Sequence, residues 1–415
     1  MSPAPAPEST HEVILFYKYA LVPDVEAVVA RFTEFFAAHR PDGACRGRLL
    51  IAREGVNGTV CASRASGAME AFKALLREAI PACEDVVYKR SSANEQVFHD
   101  ARVEARSELV GWGIFDDVRH EKREKVVHLS PREFHDALKS RQGGATVLDL
   151  RNENESLVGK FRGATCPKAR NMQELGRFLD EEASKSGGKE VFMYCTGGIR
   201  CEKAALYLEK KQPDVSVVYQ LEGGIHEYLE EFGDDEDCLF LGKNFTFDRR
   251  GVSASGKDDD EAWRCQRCRE GEPVLSSCAV CVVCRFPLVL CEKCQVSTSC
   301  RGEWTCSHHA NLDGVYSYYA IPDLTEDELT RRIAAMKTME VGLFAEDPKK
   351  TTNRRRTLRK CVTKMEAELE RRRAGGVAEV REMAYCRNSG RALADCSRDC
   401  MGFWGAGHLL EKTVG

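Results

Sequence analysis

The middle of this chain contains the stretch Val191-Phe-Met-Tyr-Cys195-Thr-Gly-Gly-Ile-Arg200-Cys201-Glu-Lys-Ala-Ala. This stretch gives the clearest indication of the fold of that region. An apolar run typical of a buried strand leads into a loop with two glycines, and a helix is predicted to begin near Arg200. Open α/β sheets bind ligands at the carboxyl ends of their strands. Backbone N–H groups in such a loop, together with the positive helix end, stabilise a thiolate or persulfide. We therefore predict that Cys195 is a nucleophile with a lowered pKa. The alternative is an inert buried cysteine at a strand end.

On both sides of this stretch, strands and helices alternate over residues 125–235. The strand-like runs are Val126–Leu129, Thr146–Leu150, Val191–Tyr194 and Ser216–Leu221, and helices are predicted to begin near Pro131, Met172, Arg200 and Ile225. This alternation predicts an α/β domain with a parallel sheet. Asp149 and Arg151 end the second of these runs. They are interpreted either as catalytic groups or as a pair that holds the cysteine loop.

The N-terminal residues 11–110 follow a β-α-β-β-α-β pattern, which predicts a ferredoxin-like, split βαβ domain. Glu54 and Asn57 fall in a predicted hairpin turn, Glu54–Gly58, and are interpreted as turn residues or as substrate contacts. The predicted elements are strand Val13–Tyr19, helix Asp24–His39, strands Arg48–Ala52 and Gly58–Ala62, helix Ser66–Ile80 and strand Asp85–Lys89.

The spacing between the cysteine and the arginine separates two kinds of chemistry. Cysteine phosphatases and related arsenate reductases place an arginine six positions after the nucleophile, whereas Arg200 follows Cys195 by five and Cys201 stands at the sixth position. The loop resembles the Cys-x-x-Gly-x-Arg loop of rhodanese sulfurtransferases. The runs Val147–Glu153, Gly159–Ala164 and Leu221–Ile225 are similar to other rhodanese segments, although Lys160 and Phe161 depart from the usual histidine and aliphatic residue.

Three motifs narrow this resemblance. Tyr194–Lys203, Gly242–Arg250 and Ala52–Thr59 together resemble the oxygen-dependent tRNA uridine hydroxylase family. The resemblance implies a ferredoxin-like domain, then a rhodanese domain and often a cysteine-rich tail. It also implies tRNA as the partner, and in bacteria the 5-hydroxylation of a wobble uridine.

The expected chemistry begins with the Cys195 thiolate, which adds to C6 of uracil and so activates C5. Cys201 is interpreted either as a resolving thiol or as a helix residue facing the core. No flavin, haem or iron signature is visible, so no organic cofactor is expected. Two other functions stay open: a thiosulfate or persulfide sulfurtransferase, and a non-catalytic adaptor for tRNA or protein. The predicted catalytic residues are Cys195, Arg200, Cys201, Asp149 and Arg151, and the predicted loop or substrate-binding residues are Thr196, Gly197, Gly198, Ile199, Glu54 and Asn57.

A cysteine-rich segment, 263–310, follows a predicted family-specific linker, 236–262. It holds nine of the chain's 20 cysteines within 42 residues, several of them in Cys-x-x-Cys pairs that suit tetrahedral zinc. Structural zinc is predicted, with Cys265 and Cys268 joined either by Cys291 and Cys294 or by Cys281 and Cys284. The candidate ligands are Cys265, Cys268, Cys278, Cys281, Cys284, Cys291, Cys294, Cys300 and Cys306, with His308 and His309 nearby.

Composition and charge exclude several classes. The 415 residues are 43% apolar and 30% charged, with a net charge of -4, which argues against a generally basic nucleic-acid binder. The charged, mainly helical region 320–415 nevertheless contains Lys349–Arg373, whose 11 basic and 3 acidic residues give +8. This stretch is interpreted as an RNA-phosphate contact or as a solvated helix, and residues 347–376 show too little apolar periodicity to predict a core. Without a long apolar run or a targeting pattern, a cytoplasmic protein with reduced thiols is expected.

Overall fold

The computed structural model describes most of the chain and divides it into two compact units, Met1–Trp263 and Arg264–Gly415. The described residues are 9–40, 43–98, 100–113, 124–141, 144–169, 174–186, 190–212, 214–246, 248, 250–257, 263–270, 273–274, 281, 286, 288–296, 304–312, 321, 324–349 and 351–375.

The first part of Met1–Trp263 is a five-stranded sheet in the order β4-β1-β3-β2-β5. Neighbouring strands are antiparallel except β2 and β5, which are parallel. Two helices cover one face, where Phe16, Phe32 and Phe72 meet in an apolar core. The ferredoxin-like prediction is thereby confirmed, with β5 as an added edge strand. The elements are β1 His11–Tyr19, α1 Val25–Ala38, β2 Cys45–Ala52, β3 Gly55–Ser63, α2 Ala68–Ala79, β4 Lys89–Ala93 and β5 Arg102–Ala105.

The predicted position of the hairpin turn in this part was wrong. The hairpin turns at Arg53 and Glu54, because Ala52 already pairs with Gly55. Gly55 supplies the positive φ of +147° that the tight turn needs, so Asn57 lies inside strand β3.

The last strand of the ferredoxin-like pattern also begins later than predicted. Val86 packs into the core after a 3-10 turn at Pro81–Cys83, and pairing with β1 starts only at Lys89, opposite Leu15. Residues 85–88 are therefore connection, and the strand is Lys89–Ala93.

The second part of Met1–Trp263 is a parallel sheet in the order β6-β10-β9-β7. Strand β9 lies inside the sheet and is buried along its whole length, so Cys195 emerges between two neighbouring strands. The predicted rhodanese-type α/β fold is confirmed. Its elements are β6 Val126–Leu129, α3 Pro131–Ser140, β7 Thr146–Asp149, α4 Glu153–Ser156, β8 Gly159–Phe161, α5 Leu175–Ser186, β9 Val191–Tyr194, α6 Ile199–Lys211, β10 Val218–Leu221 and α7 Gly224–Phe232.

The segment predicted as a linker, 236–262, contains two strands. Strand β11, Phe240–Phe245, pairs with β8 and with β12, Val252–Ser255, in a three-stranded antiparallel sheet. A side chain at Gly159 would lie 2.5 Å from the carbonyl oxygen of Lys243, so this pairing requires glycine. The predicted acidic joint, 258–261, lies outside the described residues.

The described residues of Arg264–Gly415 form short strands, short helical segments and a helical hairpin. Strand β13, Pro273–Val274, pairs with β14, Leu290–Cys291, and α8 is Glu292–Val296. Helices α9, Glu326–Glu346, and α10, Thr352–Arg373, enclose an apolar core. Within the part of the chain that the structure describes, no helix is long and apolar enough to cross a membrane.

Candidate active site

Cys195 lies directly after β9 and has no exposed surface. The backbone N–H of Gly198 donates to its sulfur at 3.1 Å, and helix α6 begins at the next residue, Ile199. Gly198 has φ +101°, a conformation that helps to turn the chain from strand to helix within four residues. The loop therefore wraps backbone donors around the sulfur atom, as the sequence predicts.

The electrostatics of this loop favour a thiolate. Burial by itself would raise the pKa of Cys195, but the hydrogen bond from the Cys201 thiol, the charge of Arg200 and the backbone N–H donors outweigh it. Together they lower the pKa of Cys195 to about 6. Burial and the neighbouring thiolate raise the pKa of Cys201 well above its ordinary value, so Cys201 stays protonated and donates to Cys195.

The guanidinium group of Arg200 binds a carboxylate. Its two terminal nitrogens donate to Glu155 at 2.9 and 2.8 Å, and the Thr196 hydroxyl donates to the same carboxylate at 3.1 Å. Glu155 is fully buried. Sequence reasoning missed this residue, although the capping box of Asn152 and Glu155 around α4 was a usable signal.

Asp149 and Arg151 form a fully buried ion pair at 2.6 Å. Arg151 also donates to the carbonyl oxygen of Gly159, and the Tyr194 hydroxyl donates to Asp149 at 2.9 Å. Tyr194 precedes Cys195, so the pair fixes the end of β9 from behind. These contacts connect the ion pair to the residue that precedes Cys195.

The uncovered face of the N-terminal sheet lies over the cysteine loop. A side chain at Gly197 would lie 2.9 Å from Leu15, and one at Gly198 would lie 2.9 Å from the Tyr17 hydroxyl. The Tyr19 hydroxyl donates to the carbonyl oxygen of Ile199 at 3.3 Å. Leu15, Tyr17 and Tyr19 alternate along β1, so the face of the sheet on which they lie covers the loop.

Sequence reasoning missed these three residues, although the apolar pattern of β1 indicated that both of its faces are covered. Ile14 and Phe16 are buried in the helix-covered core, while the alternate positions are also apolar or aromatic. A strand with two apolar faces is covered on both sides. Asn57 pairs with Tyr17 across β1 and β3 and therefore lies on the same face as the tyrosine.

Helix α6 ties the loop to the N-terminal domain through two charged residues. Glu202 accepts from Gln220 at 2.9 Å and lies 3.1 Å from the His128 ring and 3.4 Å from the Tyr17 hydroxyl. Lys203, almost wholly buried, lies between Glu54 at 3.0 Å and Glu108 at 2.7 Å. Glu54 thus links two domains, a role that its predicted place in a turn did not reveal.

Residues of the Gly242–Arg250 motif also contact the N-terminal sheet. Arg250 pairs with Asp248 and donates to the Ser91 hydroxyl of β4 at 2.9 Å. The three motifs of the predicted family, far apart in sequence, therefore meet where the N-terminal sheet covers the Cys195 loop.

Among the described residues of Arg264–Gly415, two groups of side chains can hold a metal ion. In the first, the sulfur atoms of Cys265, Cys268, Cys291 and Cys294 all lie within 4.8 Å of one another. The Cys268 and Cys291 sulfurs are 3.7 Å apart, close to the roughly 3.8 Å expected between ligands of a tetrahedral four-sulfur zinc site. Of the two pairings left open by the sequence, the structure brings together the first.

The second group consists of Cys281, Cys306 and His309. The His309 Nδ1 atom lies 3.2 Å from the Cys306 sulfur and 3.7 Å from the Cys281 sulfur. His308 is exposed and lies outside both groups. The other predicted ligands, Cys278, Cys284 and Cys300, lie outside the described residues.

Comparison with known families covers most of Met1–Trp263. Residues 11–109 match the family described as UPF0176 acylphosphatase like domain, and residues 130–231 match the rhodanese-like domain family. These ranges correspond to the two sheets described above.

Comparison with individual proteins points to one kind of relative. The chain is 32% identical over 310 residues to "Rhodanese-like domain-containing protein 6" of Arabidopsis thaliana, covering 70% of this chain but only about half (51%) of the plant protein. It is 32% identical to the "tRNA uridine(34) hydroxylase" of Teredinibacter turnerae, over 63% of this chain and 77% of that protein. The protein of the same name from Bacillus licheniformis is also 32% identical, over 80% of this chain and 98% of its own length. The chain therefore belongs to the tRNA uridine(34) hydroxylase family.

Proposed function

We propose that this chain is a tRNA-modifying enzyme that hydroxylates C5 of a wobble uridine, with dioxygen as oxidant and Cys195 as nucleophile. One observation carries the proposal: Cys195 has a pKa lowered to about 6 and lies in a cradle of backbone donors beneath an aromatic sheet face. The membership of the chain in the tRNA uridine(34) hydroxylase family supports tRNA as the substrate.

The chemistry starts with addition. The Cys195 sulfur forms a bond to C6, and the C5–C6 π electrons make C5 electron-rich toward an oxidant. Dioxygen then places one oxygen atom on C5 and leaves the other in water. The two electrons that this requires come from a dithiol that becomes a disulfide, and expulsion of Cys195 with loss of the C5 proton restores the ring.

A sulfurtransferase is the second candidate, and one contact favours it over a phosphatase. Because Arg200 is engaged by Glu155, the loop offers the sulfur backbone N–H groups and no free guanidinium. Such a cradle suits a thiolate or persulfide better than a phosphate dianion, which arginine binds in a bidentate manner. Thiosulfate is therefore the small-molecule substrate to compare with tRNA.

The decisive experiment incubates the full chain with tRNA that lacks the modification, under air and a dithiol, followed by mass spectrometry of the nucleosides. Formation of 5-hydroxyuridine that Cys195→Ser abolishes supports the proposal. Cys83→Ser is the matched control, because Cys83 is also buried but lies in the N-terminal core. Turnover of thiosulfate and cyanide without 5-hydroxyuridine identifies a sulfurtransferase. Inertness in both assays, with retained tRNA binding, identifies an adaptor.

We further propose structural zinc in both metal groups. Four thiols at tetrahedral spacing fit a closed site, and short segments with little apolar core gain their stability from such a metal. The second group has three described ligands, so its fourth is proposed to come from Cys278, Cys284 or Cys300. The predicted location of the chain is the cytoplasm, where these thiols stay reduced.

A further inference from the structure

Lys89 is a buried cation beside the cysteine loop that the reaction as described above does not use. It begins strand β4 opposite Leu15 and is only 5% exposed. Its methylene chain lies against the loop, since a side chain at Gly197 would lie 3.7 Å from the Cδ atom of Lys89. Its ammonium nitrogen lies over the Tyr17 ring, 5.0 Å from the centroid.

The surroundings of this ammonium group do not balance its charge. Burying an ammonium ion carries a large desolvation cost, and contact with an aromatic face offsets only a small part of that cost. Among the described residues, no carboxylate lies within ion-pair distance of Lys89. Burial lowers the pKa of Lys89, and the negative charges of Glu227, Cys195, Glu222 and Glu202 oppose that effect from farther away.

A second buried lysine at the same junction provides a comparison, because its contacts are those of a structural ion pair. Lys203 is equally buried, but Glu54 and Glu108 hold it at 3.0 and 2.7 Å. Two carboxylates satisfy that ammonium within the folded chain. Lys89 lacks such a pair of carboxylates, and its side chain lies beside the loop that carries the nucleophile.

We propose that Lys89 binds the O4 oxygen of the uridine and stabilises the enolate that forms when Cys195 adds to C6. The inference rests on the proposed hydroxylation. In this step the sulfur–C6 bond forms, the C5–C6 π pair moves between C4 and C5, and the C4–O4 pair moves onto O4. No group leaves, the thiolate charge passes to O4, and the Lys89 ammonium compensates it.

The test compares Lys89→Met with Arg90→Met. Arg90 is the next residue of the same strand, but its side chain is 62% exposed and pairs with Glu12. Lys89→Met is expected to lower the single-turnover rate of 5-hydroxyuridine formation by about 100-fold or more, as for the loss of one preorganised donor. The Kd for tRNA should stay within a few-fold. Arg90→Met is expected to keep the wild-type rate.

Stability separates this role from a structural one. Replacing an unpaired buried charge with an apolar side chain removes its desolvation cost, so Lys89→Met is expected to raise Tm while it lowers the rate. Lys89→Ala leaves a space for a small amine, and methylammonium is expected to restore part of the lost rate. A near-wild-type rate for Lys89→Met, or a lowered Tm without amine rescue of Lys89→Ala, overturns the proposal.

A separate readout covers the case in which the hydroxylation itself fails. If wild-type protein makes no 5-hydroxyuridine, the proposed function is overturned, and the pH dependence of Cys195 labelling by iodoacetamide then decides about Lys89. The charged groups on this side are Lys89 of β4, Glu202 and Arg200 of α6, and Glu222 and Glu227 after β10. Lys89→Met is expected to shift the labelling midpoint upward, whereas Arg90→Met leaves it in place. Identical midpoints for both variants refute a role for Lys89 at the Cys195 anion.

Discussion

At Cys195, neighbouring groups hold a negative charge inside the protein. Burial disfavours a thiolate by itself, yet the Cys201 thiol, the Arg200 charge and the loop N–H groups lower the pKa to about 6. The sulfur is then mostly ionised at neutral pH and becomes protonated only below about pH 6. A reaction that needs the thiolate therefore loses rate as the pH falls through 6, roughly tenfold per unit below it.

Cys201 provides a test of how that charge is held. Cys201→Ala removes the thiol donor, so the labelling midpoint of Cys195 is expected to rise from about 6 toward its ordinary value, whereas Cys201→Ser keeps a hydroxyl donor and a low midpoint. Isotope labelling of the Cys195 peptide with iodoacetamide over a pH series measures both. Multiple-turnover activity then decides the second role, because a resolving thiol would be lost in both variants. Equal midpoints in the two variants would contradict the donor role.

How far the sequence predicted this site depends on the range of each contact. The loop from Cys195 to Arg200 was predictable, since strand, glycines and helix are consecutive. Glu155 was not predicted as the partner of Arg200, because 45 positions separate them and only the folded sheet brings them together. Lys89 and Tyr17 were not predicted as site residues for the same reason, because they contact the loop from another domain.

At the level of secondary-structure elements, strand pairing determined boundaries that local sequence propensity did not predict. The Asn57-Gly58 dipeptide is typical of a turn, yet it lies within β3, because Val56 and Val60 are fully buried and extend the strand. Periodicity also underestimated helix α10. Leu358, Val362, Met365 and Leu369 recur at helical spacing among charged residues and pack against α9.

The exposed side of α10 offers a prediction about RNA. Arg356 and Lys360 lie one turn apart and are exposed, so Arg356→Gln with Lys360→Gln is expected to weaken tRNA binding. The slope of log Kd against log salt should fall by roughly one unit per lost phosphate contact. Substitution suits this test better than truncation before Asp347, which would strip α9 of its apolar partner.

The matched control for this charge change is Arg177→Gln with Lys211→Gln, two exposed positions on α5 and α6. Binding is measured by fluorescence anisotropy over a salt series. If both double variants keep the wild-type slope, α10 is a solvated helix and RNA contacts lie elsewhere.

At the scale of the whole molecule, the two metal groups bring together cysteines and a histidine that are far apart in the sequence, from Cys265 to His309. Wild-type protein is expected to carry two zinc ions per chain after dialysis. Cys291→Ala should remove one and His309→Ala the other, because each loses a ligand of a different group. Elemental analysis by mass spectrometry measures the content. Cys361→Ala, a buried thiol of the helical hairpin, is the control, and unchanged zinc in both ligand variants would refute the assignment.

Access of a substrate to Cys195 depends on how the N-terminal sheet packs against the cysteine loop. The sulfur has no exposed surface while the N-terminal sheet covers the loop, so a uridine reaches it only after the sheet and the loop separate. Lys203 and Glu108 are buried and Glu54 is partly buried, and the three form a charged group at this junction. We therefore expect the strength of these ion pairs to set how often the site opens.

Lys203→Met tests this reasoning, because it leaves two carboxylates facing each other without their shared ammonium. Loss of one partner from a buried ionic group costs about 3 to 5 kcal/mol, so calorimetry is expected to show a lower Tm and the two domains of Met1–Trp263 unfolding separately. Labelling of Cys195 by iodoacetamide should become faster, since the covering sheet is held less firmly. Lys211→Met, an exposed position on the same helix, should change neither property. Labelling of Lys203→Met at the wild-type rate would mean that the Glu54–Lys203–Glu108 group does not control access to Cys195, and that the aromatic contacts of Tyr17 and Tyr19 hold the cover instead.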